Sequence, residues 1–323
     1  MLENRLQVVH VAVGVVVQHE QVLICWRDAA LHQGNRYEFP GGKVEAGETP
    51  EQALARELRE ELNIQVQHSI RAQQLHFNYP EKTVCLHVFL VPRFTGTPQG
   101  QQGQVLHWVA KNQLVNYHFP EANTPILRMV KLPEQYVITY PLAAGQDRQE
   151  WLNWHIAQTP QASWLYLREK TATAEQYHQL VEDLNASRPD LKIMADFNQL
   201  ESLVPVLPKI HGVHINQSTL MQCQQIAIPE QLFCFAACHD QLSVQKANQL
   251  KVDAVVLSPL HVTTSHQGQA ALGWPAWQQL CQQSQVPVYA LGGVNPQDIT
   301  AIQQAGGFGV AGIRAFFPMQ PGQ

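Results

Sequence analysis

The sequence has few charged residues, and this shortage excludes several classes of protein. Charged residues make up 15% of the 323 residues, while hydrophobic residues make up 45%. A chain this apolar is typical of a soluble globular protein with material for two cores, and it is not typical of a disordered one. The formal net charge of −5 provides no basic surface for long nucleic acid. We therefore expect a small-molecule ligand and no nucleic-acid partner.

Paired cysteines and long apolar runs are also lacking. The cysteines show no paired spacing of the kind that binds a metal, so we expect buried free thiols at Cys25, Cys85, Cys223, Cys234, Cys238 and Cys281. The N-terminus has no signal-peptide pattern, and no apolar run approaches the ~18 residues of a membrane helix. The expected location is the cytoplasm, with no membrane partner, and the sequence leaves partner proteins unknown.

Three glutamates are predicted to share one face of a helix. The helix should begin at Thr49, because Thr49 and Gln52 can form a capping box. Glu57, Glu60 and Glu61 then lie at positions i, i+3 and i+4. Their mutual repulsion weakens an isolated helix unless a hard cation neutralises the carboxylates. We predict that these three residues bind Mg²⁺, with Mn²⁺ as the alternative ion.

Three glutamates alone would favour a solvated acidic helix face, but the surrounding residues favour a metal site. The segment is similar to the signature of the Nudix family, which it matches at Gly42, Glu48, Arg56, Glu57, Leu58, Glu60, Glu61 and Ile64. Asn63 departs from the signature, which has glycine there. Asparagine tolerates the left-handed conformation better than other non-glycine residues, so we expect the helix end to form normally.

Within the Nudix families, roughly residues 5–132 resemble the MutT-like 8-oxo-dGTP diphosphatases. The resemblance is carried by Val11–Gly14, Tyr37–Lys43, Glu45–Pro50 and Phe119–Pro125. It implies an α/β/α sandwich with a mixed sheet, and it implies substrate-binding roles for Arg27, Phe39, Gly41, Gly42, Lys43 and Asn123. Asn123 would hydrogen-bond the oxidised purine and Phe39 would shape its pocket. Taken singly, Asn123 in such a loop is more often a turn residue and Phe39 more often a core residue.

The resemblance implies Mg²⁺-dependent hydrolysis of 8-oxo-dGTP to 8-oxo-dGMP and pyrophosphate, which would clear a mutagenic DNA precursor. The implied catalytic residues are Glu48, Arg56, Glu57 and Glu60. Either Glu57 or Glu60 would act as the base, and Arg56 would either stabilise charge or pair with a glutamate. Gln102 stands where related enzymes often have a further glutamate, so we expect an altered rate or metal number.

Two other functions stay open for this first part. One is a Nudix hydrolase for another nucleotide or for a thiamine-pathway pyrophosphate. The other is a nucleotide-sensing module without turnover. The complete set of carboxylates in the signature favours hydrolysis.

The chain length indicates two domains, 1–132 and 133–323. Beyond the boundary, short apolar runs alternate with polar helical stretches, which is typical of a parallel β/α architecture. Eight strands are predicted at Tyr136–Thr139, Trp164–Leu167, Lys192–Ala195, Gly212–Ile215, Phe233–Ala237, Ala254–Leu257, Val288–Leu291 and Val310–Ile313. Their number and spacing fit a (β/α)₈ TIM barrel, which makes the chain an α/β protein throughout.

The barrel segment resembles thiamine phosphate synthase and its TenI-like relatives over roughly residues 134–318. The similarity is carried by Leu167–Lys170, Gly212–Gln217 and Leu291–Val294. Because barrel ligands bind at the carboxyl ends of strands, the ligand candidates are Arg168, Lys170, Asp196, His214, Gln217, His261, Thr263, Gly292 and Gly293. The two glycines suit phosphate binding through backbone N–H groups.

Two departures leave the activity of the barrel open. Thr219 replaces the second Mg²⁺-binding aspartate of the synthases, and His266 replaces a lysine. The barrel could be a synthase with relaxed motifs, or a proton-transfer enzyme using His214, His239 or His261. It could equally be a non-catalytic barrel that binds a phosphorylated ligand or stabilises the chain.

Overall fold

The structure, a computed structural model, describes residues 7–27, 35–143, 145–262 and 270–317. The chain separates into two units, Met1–Leu132 and Pro133–Gln323. Thr263 and His266, which the sequence singles out, lie outside the described residues. None of the helices in the described ranges has both the length and the hydropathy of a membrane-spanning helix.

The first unit is built around a mixed β-sheet. Its strands are β1 (Gln7–Gln18), β2 (Gln21–Arg27), β3 (Arg36–Glu38), β4 (Gly41–Lys43), β5 (Gln65–Asn78), β6 (Lys82–Thr95) and β7 (Val105–Ala110), and its helices are α1 (Pro50–Leu62) and α2 (Thr124–Met129). The sheet order is β3-β2-β1-β6-β5, while β4 pairs with β1 and β7 with β2. β1 and β6 run parallel. The other described pairs are antiparallel, which confirms the mixed sheet.

Helix α1 packs on the sheet through an apolar stripe. Ala53, Leu54, Leu58 and Leu62 are buried at helical spacing. They join one core with sheet residues that include Phe89. This packing leaves the acidic side chains of α1 to face the β4 segment and solvent.

The second unit is a closed barrel of parallel strands, which confirms the predicted fold. Within the described residues its strands are β8 (Gln135–Ile138), β9 (Trp164–Tyr166), β10 (Lys192–Asp196), β11 (Gly212–Ile215), β12 (Phe233–Cys238), β13 (Ala254–Leu257), β14 (Val288–Ala290) and β15 (Gly309–Gly312). Its α-helices are α3 (Arg148–Gln158), α4 (Ala174–Ser187), α5 (Gln217–Gln222), α6 (Gln241–Leu250), α7 (Gly273–Gln283) and α8 (Ile299–Gln304). Strand ends differ from the predicted ones by one residue at most.

One connection of the barrel is a 3₁₀ helix rather than an α-helix. It spans Phe197–Lys209, after β10, and contains Pro205 and Pro208. Proline lacks the N–H that an α-helix needs and its ring clashes with the preceding turn, so this segment cannot form a regular α-helix. Shorter 3₁₀ segments occupy Lys111–Asn116, Glu121–Asn123 and Pro296–Asp298.

Aromatic rings fill the interior of the barrel. Tyr136 on β8 contacts His214 on β11 and Phe235 on β12, although these strands are not neighbours in the barrel. The rings therefore meet across the interior. The ring of Tyr166 also stacks on His214, with ring centroids 4.2 Å apart. The barrel is a packed core rather than a channel.

Candidate active site

The ends of α1 form as the sequence predicts. The Thr49 hydroxyl accepts a hydrogen bond from the Gln52 N–H, and the Gln52 side chain accepts one from the Thr49 N–H. Asn63 ends the helix with φ 57° and ψ 36°, in the left-handed region. Its N–H donates to the Arg59 carbonyl, so asparagine serves as the helix cap in place of glycine.

Strand β4 lies directly over the acidic face of α1. Gly42 has no room for a side chain, because a Cβ there would overlap the Glu57 carboxylate. Gly41 has φ 144°, and a Cβ there would overlap the Ala12 carbonyl of β1. The Gly41 N–H donates to Glu61 Oε2 at 3.0 Å. The two glycines therefore bring the β4 backbone within hydrogen-bond distance of the glutamates.

Arg56 organises the carboxylates around it. Its Nε donates to Glu48 Oε1 at 2.8 Å and its Nη2 to Glu48 Oε2 at 3.0 Å. Its Nη1 donates to Glu57 at 2.8 Å and to Glu60 at 3.4 Å, and its Nη2 also donates to the Lys43 carbonyl at 2.9 Å. The hydrogen bonding from Arg56, together with a bond from the Glu45 N–H, lowers the pKa of Glu48 to about 2. Arg56 thus ties the loop bearing Glu48 to α1, which is the pairing role raised as an alternative for it.

The three glutamates predicted to bind metal, Glu57, Glu60 and Glu61, differ in their surroundings. The Glu57 side chain is 16% exposed and the Glu60 side chain 56% exposed. Burial raises the pKa of Glu61 to about 7, and the nearby charge of Glu57 adds to this, although the Gly41 N–H acts in the opposite direction. Glu57 and Glu61 therefore lie beneath β4, while Glu60 extends towards solvent.

The donor set fits a hard divalent cation. Carboxylate oxygens are the preferred protein ligands of such ions. Glu57 and Glu60 already share one cationic partner, Arg56 Nη1, so a single positive group can reach both. Burial is the main cause of the raised pKa of Glu61, so a bound cation would favour the charged form of this carboxylate. Glu57, Glu60 and Glu61 are thus the residues that could hold a metal ion.

The surroundings of Glu61 lead to a stability prediction for the metal-free protein. The folded-state pKa lies above the unfolded value of about 4.3, so stability decreases as pH rises through this interval and stays lower above it. We expect Glu61→Gln to raise the free energy of unfolding by about 2 kcal/mol at pH 8 and to change it little at pH 4. Urea unfolding with a chelator at both pH values measures this. An equal effect at both would contradict the assignment.

Two of the implied substrate-binding residues lie outside the metal-binding helix, Phe39 directly after β3 and Asn123 directly before α2. The ring of Phe39 is buried and stacks on Phe119, with ring centroids 5.3 Å apart. Asn123 precedes α2 as its N-cap residue, yet its side chain makes no capping hydrogen bond. A capping or turn role therefore does not engage the amide, which leaves its donor and acceptor available for another partner.

Arg27 and Glu38 form a pair that the sequence reading did not identify. Arg27 Nη1 donates to Glu38 Oε2 at 2.8 Å and to Oε1 at 3.1 Å. The two residues lie on adjacent strands, β2 and β3, where Arg27 is paired in register with Arg36. The charges of both also act on Glu61. Glu38 lies within Tyr37–Lys43, one of the segments that resemble the MutT-like enzymes, but the resemblance did not imply a role for it.

The loop that carries Gln102 lies at the carboxyl end of α1. The Gln101 N–H and the Gln104 side chain both donate to the Glu61 carbonyl, at 2.9 and 3.2 Å. Gln102 itself is exposed, and its N–H donates to Gln104 Oε1. The loop is thus attached to the backbone of the acidic helix, with an amide in place of a carboxylate at Gln102.

Several barrel candidates are engaged with protein groups. Asp196 accepts hydrogen bonds from the Tyr166 hydroxyl and the Asn198 N–H. Gln217 donates to Asp240 at 2.8 Å. Thr219 donates to the Asn198 side chain at 3.2 Å. Asp196 is therefore already hydrogen-bonded within the barrel, and position 219 offers a threonine hydroxyl in place of a carboxylate.

Other barrel candidates lie near the turn after β14. The His261 N–H donates to the Gly292 carbonyl, and a Cβ on Gly293 would come within 2.8 Å of the His261 Cβ. Both glycines have positive φ, 104° and 69°. Arg168 donates its backbone N–H to Thr139, and Lys170 is exposed. The structure therefore brings His261 together with Gly292 and Gly293.

His214 and His239, the other two histidines considered for proton transfer, contact other groups of the barrel. His214 is buried in contact with the rings of Tyr136 and Tyr166, and its Nδ1 lies 3.2 Å from the Tyr136 hydroxyl. Burial lowers the pKa of His214 to about 3. His239 Nδ1 lies 2.7 Å from the Ser258 carbonyl. The Nδ1 atom of each ring therefore lies within hydrogen-bond distance of a protein group.

The first unit therefore has the features of a divalent-metal-dependent phosphohydrolase. The carboxylates of α1 face the Gly41-Gly42 backbone of β4. The NUDIX domain family matches residues 8–130, and the thiamine monophosphate synthase family, TMP-TENI, matches residues 135–316. The chain belongs to the Nudix family through its first unit and to the thiamine monophosphate synthase family through its second. The first unit is a Nudix pyrophosphohydrolase, and the enzymes of this family use a divalent metal.

Several known proteins are similar to one or the other part of the chain. An 8-oxo-dGTP diphosphatase of Escherichia coli (strain K12) is 40% identical over 122 residues, 38% of this chain and 95% of the relative. A CTP pyrophosphohydrolase of the same organism is 32% identical over 122 residues, 38% of this chain and 90% of the relative. The solved thiamine phosphate pyrophosphorylase from Pyrococcus furiosus is 16% identical and covers 56% of this chain and 86% of its own, with a TM-score of 0.41.

Proposed function

We propose that the protein hydrolyses 8-oxo-dGTP to 8-oxo-dGMP and pyrophosphate with Mg²⁺. The observation that carries hydrolysis is the carboxylate network in which Arg56 binds Glu48 and Glu57 while Glu61 accepts the Gly41 N–H. The substrate is supported by the 8-oxo-dGTP diphosphatase with which residues of the first unit share 40% identity. Free nucleotide suits a chain of net charge −5 better than long nucleic acid does.

Each residue of the network has a distinct task in this reaction. A bound Mg²⁺ would neutralise the polyphosphate and lower the pKa of the attacking water. Glu57 or Glu60 accepts the proton of that water. The water oxygen bonds to phosphorus in line, the bond between phosphorus and the bridging oxygen breaks, and the leaving group takes the electron pair. Arg56 orients Glu57 and connects it to Glu48, so the Glu57 carboxylate is fixed before substrate arrives.

Recognition of the base rests on Asn123 and the neighbouring rings. An amide offers one acceptor and two donors, which suits the altered edge of an oxidised purine. A purine without the matching groups leaves the amide unpaired in a desolvated site, which costs about 1–3 kcal/mol. Phe39 and Phe119 provide a stacked apolar wall beside this segment.

We expect Asn123→Ala to lower the ratio of kcat/KM for 8-oxo-dGTP over dGTP by about 10- to 100-fold. The loss falls on selectivity because the amide reads the base and does not touch the reacting phosphates. Steady-state kinetics with both nucleotides measure the ratio. Asn116→Ala, at an exposed asparagine of the same unit, is the matched control and should leave it unchanged. An unchanged ratio in Asn123→Ala would remove Asn123 from base recognition.

The barrel adds no second reaction to this proposal. A magnesium pyrophosphate site would depend on Asp196, whose carboxylate already accepts hydrogen bonds from Tyr166 and Asn198. A second carboxylate is absent at Thr219. Family membership gives the barrel its fold, and a fold alone does not establish an activity.

A further inference from the structure

Three neighbouring strands of the first unit place three histidines and a cysteine together. His10 on β1 is paired in register with Cys85 on β6, and Cys85 is paired with His76 on β5. His87 lies two residues beyond Cys85, so its side chain points to the same face of the sheet. We name these four residues, His10, His76, Cys85 and His87, the His/Cys cluster. The strand register, and not a single side-chain rotamer, brings them together.

Three donor–donor distances within the His/Cys cluster lie within about 0.4 Å of those in a tetrahedral zinc site. His10 Nδ1 lies 2.9 Å from His87 Nε2, and Cys85 Sγ lies 3.6 Å from His87 Nε2 and 3.9 Å from His76 Nε2. The ligand atoms of His10, Cys85 and His87 all lie within 4.8 Å of one another. Zinc bonds of about 2.0 Å to nitrogen and 2.3 Å to sulfur place tetrahedral donors roughly 3.3–3.6 Å apart.

The burial of the cluster also suits a bound ion. Cys85 is 0% exposed and His87 is 8% exposed, whereas His10 and His76 are exposed at the rim. Two donors are thus shielded from water, and an ion can enter between the two exposed rings. The same face continues into Phe89 and Val91, which pack in the α1 core. The inner donors therefore sit on a rigid support.

The surrounding charges are mixed. Arg71 and Glu51 both act on His87, with opposite effects. Arg71 donates to Gln74 at 2.6 Å, and Gln74 lies 3.1 Å from His76. Burial keeps the Cys85 thiol protonated, so a metal ion must displace that proton to solvent when it binds.

We propose that the His/Cys cluster is a Zn²⁺ site, separate from the carboxylates that would bind Mg²⁺. Imidazole and thiolate donors select zinc and other softer ions, while carboxylates select magnesium. The ion would join β1, β6 and β5. Directly after His10, the residues Val11, Ala12 and Val13 pair with Lys43, Gly42 and Gly41 of β4. The zinc site thus stabilises the strand that positions the glycines over Glu57.

The test uses the full chain, freed of metal by a chelator and supplied with one equivalent of Co²⁺ in excess Mg²⁺. We expect tetrahedral absorption bands together with a thiolate-to-cobalt charge-transfer band, because only a cysteine ligand gives the latter. Competition with a chromogenic chelator should show one tightly bound Zn²⁺ per chain. Cobalt bound by Glu57, Glu60 and Glu61 would give no thiolate band.

Two variants and two controls decide the assignment. Cys85→Ser should abolish the charge-transfer band, and His10→Gln should weaken zinc binding at least about 10-fold. His10 is exposed, so its variant tests the site even if Cys85→Ser does not fold. Cys223→Ser and His19→Gln should behave as the parent chain. Absence of the band in the parent, its survival in Cys85→Ser, or unchanged zinc affinity in His10→Gln would overturn the proposal.

Discussion

Glu57→Gln should lower kcat on the order of 10³-fold while leaving the fold intact. The substitution keeps the shape of the side chain but removes the charge that binds the metal and accepts a proton. Glu57 is fixed between Arg56, at 2.8 Å, and the backbone of Gly42, so no other carboxylate can take its place without moving the network. Steady-state release of pyrophosphate measures the loss, and thermal unfolding checks the fold.

Glu51→Gln is the matched control for this experiment. Glu51 is an exposed glutamate in the first turn of the same helix and makes no part of the Arg56 network. Its variant should keep turnover within a few fold of the parent. The same pair of variants also separates a hydrolase from a nucleotide sensor. A sensor would bind nucleotide and show no turnover that Glu57→Gln could remove.

Gly42→Ala should lower kcat about 100-fold with little change in thermal stability. The added methyl group overlaps the Glu57 carboxylate, which is the flexible end of a side chain and can move aside. The fold therefore accommodates the methyl group, but the carboxylate is displaced from its position beside Arg56. A shift of about 1 Å in a catalytic group is enough for a loss of this size.

Gly47→Asn separates this effect from a general disturbance of the loop. Gly47 has φ 88° and open space around its Cβ position, and asparagine is the side chain that best accepts positive φ. This variant should retain turnover. Full activity in Gly42→Ala would show that Glu57 does not need its observed position.

Much of the first unit could be predicted because local chemistry determines it. The capping box at Thr49 and the left-handed Asn63 follow from side chains that bond to their own helix ends. The barrel strands follow from short apolar runs at regular spacing, and they match the observed strands to within one residue at each end. Such features depend on neighbours in sequence, which a sequence displays directly.

Features that depend on residues far apart in the chain were harder to predict from the sequence. Glu57, Glu60 and Glu61 share a helix face as predicted, but their unequal exposure depends on how β4 lies over α1. The pair of Arg27 with Glu38 depends on the register of two strands. The 3₁₀ connection has a local signal that could have revealed it, since Pro205 and Pro208 cannot continue a regular α-helix.

The His/Cys cluster shows most clearly what a spacing rule misses. The cysteines have no paired spacing, which indicated buried free thiols. The six described cysteines are free, but Cys223 is partly exposed rather than buried as predicted. The signal that could have revealed the cluster is the alternation Cys85-Leu86-His87, which places two donors on one face of a strand. His10 and His76 reach that face only through strand pairing, and the pairing partner is not readable from a single sequence.

The central claim is tested most directly by Mg²⁺-dependent turnover of 8-oxo-dGTP, dGTP and CTP by the full chain, with every product identified. The account predicts that kcat/KM for 8-oxo-dGTP exceeds that for the other two by at least about 100-fold, with 8-oxo-dGMP and pyrophosphate as products. Comparable or faster hydrolysis of dGTP or CTP would contradict the proposed substrate while retaining the hydrolase. Absence of turnover with all three nucleotides would contradict the proposed reaction.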